Sequence, residues 1–365
     1  MVWQLLAHLS QFDDVVLLTS HTDSGEADDG ENVRRCPRKG LLGYLFWLFL
    51  MLPREVKARP DVVLLSSAAL VGSWVQMVNL RLRRPHVVMV YGTDITYGNC
   101  FYQRWLKLLL PRVTALVAIS RATRDEVVAR GFAEPEQVVV IPPGVDPQIV
   151  TLPSTDVPAT DRPVLLFVGR VIPRKGLRPF IEQCLPQIQE RTPVELWVVG
   201  GEASSSLAHS SGELAEIHDW LEGRPEADQI RFLGRVSDEV LRGAFRQAKL
   251  IVLPAVPVTG DVEGFGIVFL EAALFGIPAV STRLGGIPDA VIDGYTGLLT
   301  EAGDWRAFAD AVVGLLDDSE LYSRMSSLAQ RRAVEEHAWT QITARYREIL
   351  ASVAPESARL GAKSA

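Results

Sequence analysis

The sequence predicts an α/β protein of two Rossmann-like domains, each built on a parallel sheet with helices on both faces. Three observations lead there. The chain has 365 residues, more than one hydrophobic core ordinarily serves. Short β-branched runs alternate with stretches of helical spacing, as in repeated strand-helix-strand units. That alternation stops at residues 147 to 160 (PQIVTLPSTDVPAT), where prolines and Ser/Thr break any periodicity, and then begins again.

Each element follows in order. WQLLAHLSQF, from Trp3, reads as a helix with Leu5, Leu6 and Leu9 on one side. Strands are predicted at Val15 (VVLLTS), Asp61 (DVVLLSS), His86 (HVVMVYG), Ala115 (ALVAIS) and Val138 (VVVIPPG). Their near-continuous apolar character is that of strands covered on both faces. Beyond the break, VLLFVGR at Val164, LWVVGG at Leu196, IRFLG at Ile230, LIVLPA at Leu250 and PAVST at Pro278 form the second series. Residues 302 to 350 read as helical, with Phe308, Val312, Leu315 and Leu316 at three-to-four spacing. The predicted boundaries are 1–150 for the N-terminal domain, 151–160 for a linker and 161–335 for the C-terminal domain. A helix at 336–352 returns to the N-terminal domain, and 353–365 is a frayed tail.

Net charge is −7, with 16 basic and 15 acidic residues up to position 150 and 21 and 29 beyond it. The acidic sum argues against a nucleic-acid binder, which would show a basic stripe. Cys36, Cys100 and Cys184 are widely spaced and suggest neither a disulfide framework nor a metal site. No signal peptide is visible, so the expected compartment is the cytoplasm. The most apolar window, Leu41 to Leu52 (LLGYLFWLFLML), is shorter than the roughly 20 residues that span a bilayer and is expected to stop at Pro53. It is either a helix buried under a sheet, the favoured reading, or a surface resting on anionic lipid. Arg34, Arg35, Arg38 and Lys39 just upstream support the second.

The densest chemistry lies in the second half. VLLFVGRVIPRKG (Val164 to Gly176) is a strand ending at Gly169, followed by Arg170, Arg174 and Lys175 in a loop. Ligands of open parallel sheets bind beyond the strands' C-terminal ends, and fixed cations there suit a diphosphate whose charge rises as a bond to it breaks. In GDVEGFGIVFLEAALFGIPAVSTRLGGIPDAVIDGYTGLL (Gly260 to Leu299), Glu263 stands beside Gly264, Phe265 and Gly266, where backbone amides can approach a ligand at a helix start. Glu271 lies about two helical turns on, so both carboxylates can face one ligand at different depths. Carboxylates accept from vicinal hydroxyls, which suits a molecule carrying ribose and a hexose.

These motifs resemble a known family. GRVIPRKG, EGFGIVFLEA and LGGIPDAVIDGYTGLL, with AISRATRDEVVARG and VVVIPPGVD before them, are similar to those of retaining glycosyltransferase family 4, and the likeness covers nearly the whole chain. VEGFGIVFLEA with RVIPRKG looks particularly like phosphatidylinositol mannosyltransferases. The resemblance implies the GT-B fold, two Rossmann-like domains facing a central cleft with the N-terminal one on the acceptor side. It implies transfer of a hexose from a nucleotide-diphosphate sugar to a hydroxyl of a lipid-linked or glycan acceptor. Arg170 and Lys175 would hold the diphosphate, Glu263 the transferred sugar and Glu271 the ribose. Amides around Gly264, Phe265, Gly266 and Ile267 would support sugar and phosphates. Gly234, Arg235 and Val236 would lie against the base, with Gly169, Gly200 and Gly201 leaving room. Ser120 and Arg121 would line the cleft from the N-terminal domain.

The family often carries a histidine where this chain has Tyr91, Gly92, Thr93 and Asp94. Asp94 is a candidate catalytic residue that orients donor sugar or acceptor, or else a strand-end aspartate fixing its own turn. The implied mechanism retains anomeric configuration: the departing phosphate takes the acceptor's proton, and Arg170 and Lys175 stand in place of a metal. No cofactor is expected, and peripheral contact with the cytoplasmic membrane face goes with the second reading of the Leu41 window. The alternative is an inactive relative that binds a nucleotide sugar or a partner glycosyltransferase. An epimerase or phosphorylase is a third reading, and a dehydrogenase the least supported, since no glycine fingerprint follows an early strand. In the family a first strand and a Gly-Gly loop precede a helix like that at Trp3. The N-terminal domain is therefore expected to lack its first strand, and a complete protein to carry one.

Overall fold

A computed structural model describes residues 2–20, 32–155, 157, 160–202 and 212–355. The chain divides into two compact units, Met1–Gly144 with Trp339–Ala365, and Val145–Ala338.

The first unit contains β1 (Leu17–Thr19), β2 (Val33–Arg35), β3 (Leu64–Ser67), β4 (His86–Val90), β5 (Ala115–Ala118) and β6 (Val138–Val140). The last four form one parallel sheet in the order β3-β4-β5-β6, while β1 and β2 pair separately, also in parallel. Alternate side chains of β4 serve opposite faces, which is why its sequence is apolar throughout. Val87 and Met89 meet Leu5 and Leu9 of the Val2–Leu9 helix and Trp339, Ile342 and Tyr346 of the Trp339–Val353 helix. Val88 and Val90 meet Ala69, Leu106, Leu110 and Val127 on the other side. Each buried side chain of this size contributes about 1.5–3 kcal/mol. Among the described residues, β1 and β3 share a hydrophobic cluster through Leu18 and Leu64 but no hydrogen-bond ladder.

Two expectations for this unit change. The helix at Leu41 does not stop at Pro53 but runs from Leu41 to Ala58. Pro53 forfeits one backbone hydrogen bond, while Leu52 and Val56 on either side of it stay buried, so packing carries the helix past it. Nor is this helix wholly covered. Leu45, Leu48, Leu52 and Val56 are buried, whereas Leu42 (83% exposed), Phe46, Phe49 and Leu50 face outward.

The second unit contains β7 (Val164–Val168), β8 (Glu195–Val199), β9 (Ile230–Gly234), β10 (Ala248–Leu253), β11 (Ala279–Thr282) and β12 (Gly297–Thr300), all parallel, in the order β12-β11-β10-β7-β8-β9. The order reverses between β7 and β10, and that switch point is where such sheets open a crevice at their C-terminal ends. The short strand β12 was not foreseen.

The segment expected as a linker is tied down where it is described. Arg246 donates to the carbonyls of Val150 and Leu152 (3.0 and 2.9 Å) and Arg242 to that of Pro153 (2.7 Å). The Thr155 amide donates to Glu239 O, 3.2 Å. Residues 156, 158 and 159 lie outside the described residues, as does the expected tail from 356 onward.

Candidate functional site

In the second unit, the loops after β7 and β10 meet at the switch point. Gly176 has φ +67°, and a Cβ there would stand 1.9 Å from Pro254 O. Only glycine lets the two backbones come so close. The Val256 amide donates to Arg174 O at 3.0 Å and completes the join.

This junction aims the charged residues. Glu263 is buried, and its Oε2 accepts from Arg174 Nη1 and from Lys175 Nζ, the latter at 2.7 Å. Arg174 Nε also lies 2.9 Å from Asp261 Oδ1, although its N–H is not aligned on that oxygen. Burial alone pushes the Glu263 carboxyl up, but Lys175 and then Arg174 overcome that and hold it below the usual range. Burial draws the Lys175 ammonium down; Glu263 opposes this, while Arg174 and Arg170 add to it. Arg170 is exposed and makes no hydrogen bond or ion pair among the described residues, so its guanidinium is available to an anion.

The main chain of Glu263 is fixed by a motif whose part was not read from sequence. In LGGIPD, the Gly286 amide donates to Glu263 O at 2.9 Å, and a Cβ on Gly285 would stand 2.5 Å from that same oxygen. Gly264, Phe265 and Gly266 then lead into the Ile267–Leu274 helix, with Phe265 buried and Ile267 exposed at its first turn. Glu271 sits on this helix, half-buried, with no hydrogen bond or ion pair among the described residues. Burial, with the charge of Asp238 in support, raises its carboxyl above the usual range.

Three strands run out into glycine, Gly169 after β7, Gly200 after β8 and Gly234 at the end of β9. The Gly169 amide bonds to Val199 O (2.9 Å) and the Gly200 amide to Gly234 O (2.7 Å), while a Cβ on Gly200 would stand 1.9 Å from Gly169 O. The result is a floor of bare backbone across β7, β8 and β9. Arg235 is exposed and Val236 half-buried at its rim, and Gly201 has open space around it.

In the first unit, the other predicted residues gather at the C-terminal ends of β4 and β5. Asp94 is half-buried and accepts from the amides of Ala69 and Tyr91, both at 2.8 Å. Burial raises its carboxyl, and those amides oppose the rise. Both oxygens thus hold backbone, joining the start of the Ala69–Leu82 helix to the turn after β4. Tyr91, whose part sequence left open, shares a 2.7 Å hydroxyl hydrogen bond with Ser67. Ser120 is fully buried and caps the Arg121–Ala129 helix by accepting from the Thr123 amide at 3.1 Å. Arg121 follows it, exposed.

Comparison with known proteins matches residues 162–318 to the family described as glycosyl transferases group 1, and residues 1–149 to glycosyltransferase family 4. The chain is 31% identical over 244 residues to the GDP-mannose-dependent alpha-(1-6)-phosphatidylinositol monomannoside mannosyltransferase of Mycolicibacterium smegmatis, covering 64% of this chain and 60% of that one. It is 34% identical over 213 residues to D-inositol 3-phosphate glycosyltransferase 2 of Catenulispora acidiphila, covering 55% of this chain and 48% of that one. The aligned part is thus under two thirds of each relative's length. Among solved structures, Anabaena HepE in complex with UDP superposes with a TM-score of 0.72 at 20% identity, over 88% of this chain and 86% of that one. The sucrose-phosphate synthase of Thermosynechococcus elongatus gives 0.66 at 20% identity, over 89% and 82%. With residues 1–149 and 162–318 both matched and the solved structures superposing on nearly nine tenths of the chain, the chain belongs to glycosyltransferase family 4 and has the GT-B fold.

Proposed function

We propose that this protein transfers a hexose from a nucleotide-diphosphate sugar to a hydroxyl of a lipid-linked or glycan acceptor, with retention at the anomeric carbon. The observation that carries the proposal is the pairing of the buried Glu263 carboxylate with Lys175, beside the exposed Arg170, which has no ion pair among the described residues, and the glycine floor of β7, β8 and β9. That set offers cations to a diphosphate, a carboxylate to sugar hydroxyls and bare backbone to a flat base. Arg170 and Lys175 stabilise the leaving diphosphate as its charge grows. Glu263 accepts from the transferred sugar and Glu271 from the ribose, while the Gly264–Ile267 amides donate to the phosphates and sugar. The leaving phosphate oxygen takes the acceptor's proton on the face it departs. Asp94, Ser120 and Arg121 belong to the acceptor side, where Asp94 acts by positioning the turn it clamps. Relatives named as a mannosyltransferase and as D-inositol 3-phosphate glycosyltransferases support the class of reaction.

A lipid-linked acceptor agrees with the outer face of the Leu41–Ala58 helix, where Leu42, Phe46, Phe49 and Leu50 are exposed beside Arg38 and Lys39. Residues 33–124 hold 15 Lys/Arg against 3 Asp/Glu in a chain whose net charge is −7. Basic side chains and an apolar stripe together suit an anionic bilayer surface. Among the described residues no helix is long and apolar enough to cross a membrane. Sedimentation with anionic vesicles tests this: binding should weaken with salt and be lost in Phe46→Glu, and no binding at low salt refutes it.

The transferase reading is tested by screening UDP-, GDP- and ADP-sugars for thermal stabilisation, then assaying transfer and fixing the product anomer by NMR. One nucleotide sugar should stabilise the fold and yield the donor's own anomeric configuration. Stabilisation with neither transfer nor donor hydrolysis, or an inverted product, counts against the proposal.

A further inference from the structure

The loop after β7 carries three cations, and two of them converge on a single oxygen. Arg174 Nη1 and Lys175 Nζ both donate to Glu263 Oε2. In the proposed reaction, however, Lys175 is needed on the diphosphate. If Lys175 left and Arg174 were not there, a carboxylate only 7% exposed would have no counter-ion, and such groups take up a proton. A protonated Glu263 presents a donor where a sugar hydroxyl needs an acceptor.

We infer that Arg174, held on its other side by Asp261, is the fixed counter-ion of Glu263, and that Lys175 exchanges from Glu263 to the donor diphosphate while Glu263 stays ionised. The inference rests on the proposed transferase reading and assigns Arg174 and Asp261 as positioning residues within it.

The two cations differ in ways that suit these parts. Arg174 is pinned through its main chain, since its carbonyl accepts from Val256 and the next residue is the Gly176 that touches Pro254 O. Its guanidinium cannot deprotonate and stands between two carboxylates, Glu263 at Nη1 and Asp261 at Nε, 2.9 Å away. Among the described residues Lys175 has one ion-pair partner, Glu263, and it has a flexible four-carbon stem. Its Cε lies 3.8 Å from where a Cβ on Gly169 would stand, so the absent side chain at Gly169 leaves room over the end of β7. Arg170, the exposed cation of the same loop, acts on Lys175 through its charge.

The groups that bear on Glu263 are therefore few. From the loop after β7 come Arg174 and Lys175, with Arg170 next to Lys175. From its own segment comes Asp261, behind Arg174, and from the LGG turn only the Gly286 amide, on the main-chain oxygen. Arg174 and Lys175 balance Asp261 and Glu263 in the free protein. A bound diphosphate that takes Lys175 leaves the Arg174 guanidinium between the two carboxylates, so the sugar-facing carboxylate keeps a cation at contact distance.

The test follows the Glu263 carboxyl by NMR of protein labelled with [13Cδ]glutamate, its signal assigned by loss in Glu263→Gln. Spectra between pH 5 and 8 are recorded with saturating UDP or GDP for the wild type, Arg174→Gln, Arg174→Met and Arg174→Lys, alongside kcat and KM for the donor. Wild type and Arg174→Lys should show an ionised Glu263 throughout. In the two neutral variants Glu263 should titrate within this range, and the acid limb of kcat should move up by about 1 to 3 pH units, the scale of losing an adjacent opposite charge. A role confined to folding would move neither the carboxyl titration nor the limb, and the charge-preserving lysine would not rescue it. An ionised Glu263 across the range in whichever neutral variant folds overturns the inference. Transfer by the wild type with an unmoved limb removes this inference alone. The expected titrations in the neutral variants, alongside a wild type that transfers nothing, remove the transferase reading alone. Failure of both nucleotides to bind the wild type removes both.

Discussion

His86, at the start of β4, gives a stability prediction whose size can be worked through. It is fully buried, with Nδ1 2.8 Å from Gln76 Oε1 and Nε2 2.9 Å from Ser66 Oγ. Gln76 Oε1 also accepts from Asn79 Nδ2 at 3.3 Å, so the ring donates from Nδ1 and accepts the Ser66 hydroxyl at Nε2. The neutral ring satisfies this network, and burial lowers its pKa from 6.5 to about 3. The unfolded chain then binds a proton below about pH 6.5 that the folded chain refuses until about pH 3. This term is therefore absent above pH 6.5 and destabilises the fold increasingly as pH falls through that window. From pH 7.5 to 5.0 it amounts to about 2 kcal/mol. The comparison is wild type with His86→Gln, which keeps a polar side chain but cannot titrate. Hydrogen exchange of peptides spanning β4, read along a urea series at both pH values, reports the first unit alone and avoids treating two units as one transition. The variant should be less stable at pH 7.5, with its deficit smaller by about 2 kcal/mol at pH 5.0. Parallel loss in both proteins would refute the neutral, buried histidine.

Three further outcomes follow from the site. Gly200→Ala places a Cβ 1.9 Å from Gly169 O at φ +125°, a conformation costing about 1–3 kcal/mol for a side chain, so calorimetry should show at least roughly tenfold weaker nucleoside diphosphate binding. Unchanged affinity would mean that base and phosphates do not rest on this floor. Glu263→Ala should impair transfer but leave affinity for the free nucleoside diphosphate nearly intact, whereas Glu271→Ala should weaken both; equal losses of affinity would contradict the division between sugar and ribose. Asp94→Asn should lower the thermal midpoint of the first unit, because one oxygen facing the Ala69 and Tyr91 amides becomes a donor, and an unchanged midpoint would return Asp94 to a directly catalytic part.

Much of this architecture was readable from local pattern. Strands such as His86–Val90 and Val164–Val168 announce themselves as apolar runs because both faces of each are covered. GRVIPRKG likewise follows the end of β7 and EGFG precedes the Ile267–Leu274 helix, where Gly169, Gly176 and Gly266 take positive φ. What escaped was non-local. Arg174 and Glu263 are 89 residues apart, and nothing in RVIPRKG says which cation turns inward. The LGG turn clamps Glu263 through main-chain atoms that no side-chain pattern encodes. For Leu41 to Leu52, an apolar run on every side has no periodicity to separate the buried Leu45 and Leu48 from the exposed Leu42 and Phe46. The supposed linker carries loop composition, yet Arg242 and Arg246, more than 85 residues away, bind its carbonyls. The short β2 and β12 offer too few residues for any alternation to register.

The central claim is that Lys175, with Arg170, stabilises a departing diphosphate, and turnover of Lys175→Ala at saturating donor addresses it most directly. Thermal stabilisation by the donor would first establish that the variant still folds and binds. Sugar transfer should then fall by roughly 10²-fold or more, the scale for removing one preorganised donor from a developing negative charge. Wild-type turnover in Lys175→Ala would contradict the account.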